Sequence, residues 1–339
     1  MPSAVSAASS GAARVAPANG QVGGPGVVGN TAGDVALSLE PAREWLGVWA
    51  AFFAIYVVWG STYLAIAVAV EEIPPLLMMG ARSVLAGALL YGGARLRGAP
   101  APGAGDWLAA ARVGALFFVM GHGLLAWSET RVPSGVAAVL IATEPLFIVL
   151  LGWRGGRLVA RSQGQRPGLA VLLALLLGLG GVAVLTLPGT AAAIDPAGAA
   201  GLLIASFAWS VGTFHVPRTG SPFRGAGMQL LAGGGMLLLL STLLGEGRGW
   251  DPGAVGLEPL LAVGYLVTFG SVVAFGAYIW LLRRVSAARV ASHTYVNPLI
   301  AVALGSWLGG EELGGRVLLA AGMVVTAVLL LVQRARQRA

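Results

Sequence analysis

A chain of 339 residues that is 57% hydrophobic and 10% charged cannot build the surface of a soluble domain, in which about a quarter of the residues carry charge. Its net charge of +7 is carried by arginine alone. The absence of cysteine and lysine excludes disulfides, thiolate metal sites, a P-loop lysine and Schiff-base chemistry.

Residues 1–44 are rich in Ala, Gly, Ser, Val and Pro and lack the basic start and apolar stretch of a cleaved signal, so they are expected to form a disordered cytoplasmic tail. Beyond them, no Asp, Glu or Arg occurs between Glu44 and Glu71, between Arg166 and Asp195, or between Glu258 and Arg283. Each gap exceeds the ~20 apolar residues that cross ~30 Å of hydrocarbon. Continued along the chain, this pattern predicts helices at 46–70, 75–95, 107–128, 133–153, 168–188, 197–217, 225–245, 258–282, 288–309 and 314–333, followed by a basic cytoplasmic tail at 334–339. The predicted class is an all-α integral membrane protein with ten transmembrane helices.

Topology accounts for the basic charge. With the N-terminus in the cytoplasm, only Arg131, Arg248 and Arg316 fall in outer loops and Arg82 lies within a helix, while the other 17 of the 21 arginines are inside. The positive-inside rule then places both termini in the cytoplasm and makes nucleic acid an unsuitable partner. Arginine used to the exclusion of lysine, with abundant Ala and Gly, points to a GC-rich bacterial genome and hence to the inner membrane.

A long-period internal repeat is the most informative feature. Superposing Pro145 on Pro298 pairs Glu144 with Asn297 and Leu151 with Leu304, and the same offset of 153 pairs Trp127 with Trp280 and Arg131-Val132 with Arg284-Val285. Trp59 similarly pairs with Trp209, and the LAG at Leu85–Gly87 with that at Leu231–Gly233. Five helices per half is an odd number, so the second half enters the membrane from the opposite side. The expected architecture is therefore an inverted repeat of two five-helix halves, a construction common among secondary transporters.

The segment from Trp59 to Leu90, WGSTYLAIAVAVEEIPPLLMMGARSVLAGALL, resembles the first helix pair of EamA-type carriers in the drug/metabolite transporter superfamily. The resemblance runs on through ATEPLF in helix 4, QLLAGG at Gln229–Gly234 and GGEEL at Gly309–Leu313. It implies two inverted EamA repeats, at 45–190 and 196–333, and movement of metabolites, amino-acid-like compounds or drugs. The family's second helix commonly has arginine at the Arg82 position. The Gly-Glu pair that usually ends helix 4 in the first half is replaced here by GWRGGR.

Ionisable side chains deep in the membrane cost roughly 2.5–3.5 kcal/mol on insertion scales and so mark candidate sites. Arg82 lies about 10 Å from the outer surface and Glu144 about 15 Å, at a rise of 1.5 Å per residue. Either they neutralise each other, or Glu144 binds a proton or a cationic solute group while Arg82 tunes it or meets a solute carboxylate. Pro145 and Pro298 must release the carbonyls of Ile141 and Thr294 and kink helices 4 and 9. Trp127 and Trp280 are read as interfacial anchors. Trp59, Tyr63, Trp209, Tyr295, Asn297 and His122 are the other candidates for solute contact, with helix packing as the competing account for the tryptophans. The histidines show no ligand spacing, so no metal or cofactor is expected.

An enzyme is disfavoured by the lack of HExxH, GxSxG or an intramembrane Asp pair. The expected function is secondary transport, in the sense of an exporter, by alternating access, with possible proton coupling through Glu144; a channel or a structural membrane protein is the alternative. The expected partners are a small-molecule solute and the lipid bilayer, and a homodimer is left open.

Overall fold

The computed structural model describes residues 32–154, 168–186, 194–217, 220–310 and 314–337. Their regular secondary structure is helical, with no strand among the described residues. The helices are α1 (Ala32–Glu72), α2 (Pro75–Leu96), α3 (Ala104–Glu129), α4a (Ser134–Ile141), α4b (Glu144–Arg154), α5 (Leu169–Thr186), α6 (Pro196–His215), α7 (Pro222–Leu244), α8 (Leu257–Leu281), α9a (Ala287–Val290), α9b (His293–Trp307) and α10 (Gly315–Gln337). α1 begins inside the segment expected to be a disordered tail, and positions 1–31 lie outside the described residues. So do 155–167, which include the second half of the GWRGGR turn, and Glu311 and Glu312. Residues up to Trp45 form one unit and Leu46–Ala339 another; everything below concerns the second.

Among the described residues, seven helices are long and apolar enough to cross a bilayer: α1 from Trp45, α2, α3, α4 taken through its break, α6, α7 and α8. α5, α9b and α10 are further apolar helices. Large apolar side chains such as Phe53, Leu89, Leu243 and Leu261 are more than half exposed. In water such a surface would aggregate; in lipid it is the required one. The chain is a multi-pass membrane protein.

Local chemistry sets the helix starts. Proline stands in the first turn of α2, α6 and α7, where its missing N–H costs nothing. Asp195 caps α6 by accepting from Gly198 N at 2.6 Å. Glu246, beyond the end of α7, accepts from Leu76 N (3.2 Å) and Leu77 N (3.0 Å) at the start of α2 and from Ser241 Oγ (2.8 Å). One carboxylate thus ties the adjoining ends of α2 and α7 and sits where the helix dipole favours an anion.

Glycine decides how closely these two helices pack. A Cβ on Gly227 would lie 2.5 Å from Tyr91 N, and one on Gly87 would lie 2.8 Å from Leu231 N, so backbone meets backbone along the α2–α7 seam. α5 packs on α10 and α4a on α9b in the same pairwise way. Further contacts come in matching sets: α3 packs on α6 and α7, while α8 meets α1 and α2. Exchanging each helix for the one five places along maps this pattern onto itself, which is the repeat expressed in space. The exchange also relates the π-helical stretches Ala115–Gly123 in α3 and Leu266–Phe275 in α8. The sequence carried no sign of either.

The paired Trp and Arg motifs are equivalent too. The Arg131 guanidinium lies 4.0 Å over the Trp127 ring and that of Arg284 lies 3.8 Å over Trp280, both near helix ends.

Candidate functional site

α4 and α9 are both interrupted, at Ala142–Thr143 and at Ala291–Ser292. Pro145 was expected to kink a continuous helix. Instead it is the second residue of α4b, where its ring meets no preceding turn. The Ile141 carbonyl freed by the break accepts from Ser206 Oγ at 3.2 Å, and Ser210 Oγ, one turn further along α6, donates to Glu144 O at 3.1 Å. A neighbouring hydroxyl thereby satisfies the freed carbonyl at membrane depth. Pro298 does lie within its helix, α9b, but the interruption comes two turns before it. There Tyr56 Oη donates to Ser292 Oγ (2.7 Å), whose own proton goes to Arg289 O (2.6 Å). The Asn297 amide, with its nitrogen assigned toward two carbonyls, donates to Tyr56 O (3.0 Å) and His293 O (2.9 Å). The break in α4 is thus tied to α6 and the break in α9 to α1.

Between the two breaks is a cavity of about 60 Å³, lined by Trp59, Tyr63, Arg82, His122, Glu144, Trp209 and Asn297 together with Thr62, Ser206 and His293. Seven of the eight residues singled out as solute contacts therefore meet in one place. The eighth, Tyr295, is in α9b, and its side chain lies outside the described residues. A larger groove of about 760 Å³, lined by residues such as Ala94, Phe223 and Val273, lies away from this cluster; Arg97 is its only ionisable lining residue. The smaller cavity is the candidate site, because convergent polar groups rather than volume mark one.

The walls are aromatic. Trp59 meets Trp209 edge-on (ring centroids 5.8 Å apart), Tyr278 at 5.1 Å and His293 at 5.0 Å, and His122 stacks on Trp209 at 5.2 Å. Glycines make room for these rings: a Cβ on Gly121 would lie 3.0 Å from the Trp209 ring. A chain of protons fixes the set. Thr213 Oγ1 donates to Trp209 O (3.0 Å), so Tyr278 Oη donates to Thr213 (2.7 Å) and accepts from Trp209 Nε1 (3.1 Å).

Arg82 and Glu144 line the same cavity but have different partners. Arg82 Nε donates to Ser271 Oγ at 2.8 Å, and the carboxylate acting on it electrostatically is Glu129 at the end of α3. Beside Ser271, the Gly270 carbonyl accepts from Trp59 Nε1 at 3.0 Å, and a Cβ there would come within 2.9 Å of the Arg82 guanidinium. The π-helical stretch of α8 therefore receives both side chains, a common use of such segments. Glu144 Oε2 faces His293 Nε2 at 3.9 Å, while Oε1 makes no hydrogen bond among the described residues. His293 was not among the residues singled out, because 149 positions separate it from Glu144 and only the packing of α4 on α9 brings them together. No group of three or more His, Asp or Glu among the described residues is placed to hold a metal.

Comparison with known proteins gives this cavity its setting. The EamA-like transporter family model matches the chain twice, over residues 45–187 and 196–333. The chain belongs to the EamA-like transporter family. It is 38% identical over 291 residues to the uncharacterized inner membrane transporter YedA of Escherichia coli K12, covering 85% of this chain and 91% of YedA. It is 27% identical over 294 residues to a protein of Salmonella typhimurium named "Probable amino-acid metabolite efflux pump", covering 80% of this chain and 91% of that protein. A crystal structure superposes with a TM-score of 0.59 at 22% identity, covering 86% of this chain and 98% of the other, which shows a shared fold. The EamA chain is a membrane transporter, and its relatives point to a transporter rather than an enzyme.

Proposed function

We propose that this chain is a secondary transporter that exports a small metabolite, amino-acid-like compound or drug across the inner membrane by alternating access, with proton coupling through Glu144. In this reading α5, the paired segments of α9 and α10 also cross the bilayer. They complete ten spans in two inverted halves, 45–190 and 196–333, with both termini in the cytoplasm. One observation carries the proposal: two interrupted helices, one from each half, enclose a polar and aromatic cavity holding buried Arg82 and Glu144. At about 60 Å³ it has room for a few waters, against the ~300–1,000 Å³ of a typical small-molecule pocket. The halves must move apart to admit a solute, as alternating access requires.

The test is counterflow in proteoliposomes over a panel of amino acids, amines and toxic analogues, with and without a pH gradient. A carrier gives saturable uptake that is accelerated by the same solute on the far side. Flux rising linearly to high concentration would replace this reading with a channel.

A further inference from the structure

The Glu144–His293 contact has a proton requirement that can be read from geometry. His293 Nδ1 lies 2.9 Å from Val290 O. A carbonyl only accepts, so Nδ1 carries the hydrogen. The neutral ring therefore turns the lone pair of Nε2 toward Glu144 Oε2, 3.9 Å away. Both residues are buried, with 2% of Glu144 and 4% of His293 exposed, and Oε1 has no hydrogen bond among the described residues. An ionised carboxylate there would set two acceptors against each other in a buried site, the costly arrangement of buried polar groups. One proton between them turns the opposition into a hydrogen bond, and closing the gap to the usual ~2.9 Å takes a side-chain shift of about 1 Å.

We propose that Glu144 and His293 together form a one-proton site, with a single exchangeable proton shared between Oε2 and Nε2, and that this pair is the coupling element of the transporter. The proposal rests on the reading of the chain as a proton-coupled carrier. The site joins the halves of the protein, because Glu144 opens α4b and His293 opens α9b directly after the two breaks. With the proton in place the pair is neutral and bonded across the two half-helices. When the proton leaves to cavity water the pair is negative and its bond is gone. The positive ends of two half-helices then face the remaining charge and favour it.

The other titratable groups around the pair come from four helices. From α1 comes Tyr63, from α2 Arg82, from α3 His122 and Glu129, and from α8 Tyr278. Arg82 is held by Ser271 and acted on by Glu129, and Tyr278 donates its proton to Thr213. None of these hydrogen bonds occupies the proton between Oε2 and Nε2.

The test is ¹⁵N NMR of the full chain, labelled at histidine and held in lipid nanodiscs, from pH 5 to 9. The chain has three histidines, and His293→Asn assigns the signal. The expected spectrum of the wild-type protein keeps Nδ1 protonated at every pH and moves Nε2 alone, in one step. Glu144→Gln shifts the midpoint of that step by at least one pH unit. A wild-type His293 protonated on Nε2 but not on Nδ1 overturns the proposal, and so does an unchanged midpoint in Glu144→Gln. The wild-type tautomer needs no variant, so misfolding of Glu144→Gln leaves the test intact. The spectrum is independent of transport: the predicted spectrum without pH-driven flux in proteoliposomes would refute the coupling role and the proton-coupled reading, leaving the proton site standing.

Discussion

The α2–α7 seam predicts opposite outcomes for two glycines on one helix. A Cβ on Gly227 would lie 2.5 Å from Tyr91 N and 2.8 Å from Tyr91 Cα, whereas one on Gly235 meets nothing within 4 Å. Carbon atoms pack best at ~3.5–4.0 Å, so Gly227→Ala requires α2 and α7 to separate by about 1 Å over a contact that runs the length of both. Overpacking of this kind costs about 1–3 kcal/mol. Both variants gain the same helix preference of alanine over glycine, up to ~1 kcal/mol, so their difference isolates the seam. Reversible unfolding of the purified proteins in mixed micelles should place Gly227→Ala about 1–3 kcal/mol below Gly235→Ala, a factor of about 5 to 150 in the folded-to-unfolded ratio. Equal stability of the two would refute backbone contact along this seam.

Two further substitutions probe the hydrogen bonds that hold helix ends and breaks. Ser206→Ala removes the donor to the freed Ile141 carbonyl; a loss of about 0.6–2 kcal/mol is expected in the same titration, and no loss would mean that the carbonyl needs no partner. Glu246→Ala strips the carboxylate from Leu76 N and Leu77 N and should cost about 0.5–2 kcal/mol. Glu246→Gln keeps one acceptor oxygen, for Leu77 N and Ser241 Oγ, but turns an NH2 on Leu76 N, so it should lose about as much as the alanine variant; a glutamine variant as stable as the wild type would argue against acceptance by both oxygens.

The features that were legible in the sequence are those that local composition or an internal repeat records. The offset of 153 paired Trp127-Arg131 with Trp280-Arg284, and the structure stacks both pairs alike. The cost of burying charge drew attention to Arg82 and Glu144, and the missing N–H of Pro145 drew attention to the Ile141 carbonyl. Where the helices actually break was not legible: Ala142–Thr143 and Ala291–Ser292 carry no breaker of their own, and tertiary hydroxyls from α6 and α1 stabilise the gaps. The π-helical stretches were silent because an added residue per turn leaves composition unchanged. His293 was missed for a related reason, since helical spacing reports only neighbours on one element and its partner lies on another.

The central claim, a cavity opened in turn to each side of the membrane, can be tested through Thr62, which lines the cavity and is 6% exposed. Because the chain has no cysteine, Thr62→Cys supplies a single thiol. The measurement is its rate of modification by a membrane-impermeant maleimide in right-side-out and inside-out vesicles, as the pH on one side is varied. Alternating access predicts reaction from both faces, with one rate rising as the other falls. Reaction from one face alone at every pH, or both rates rising together, would contradict it.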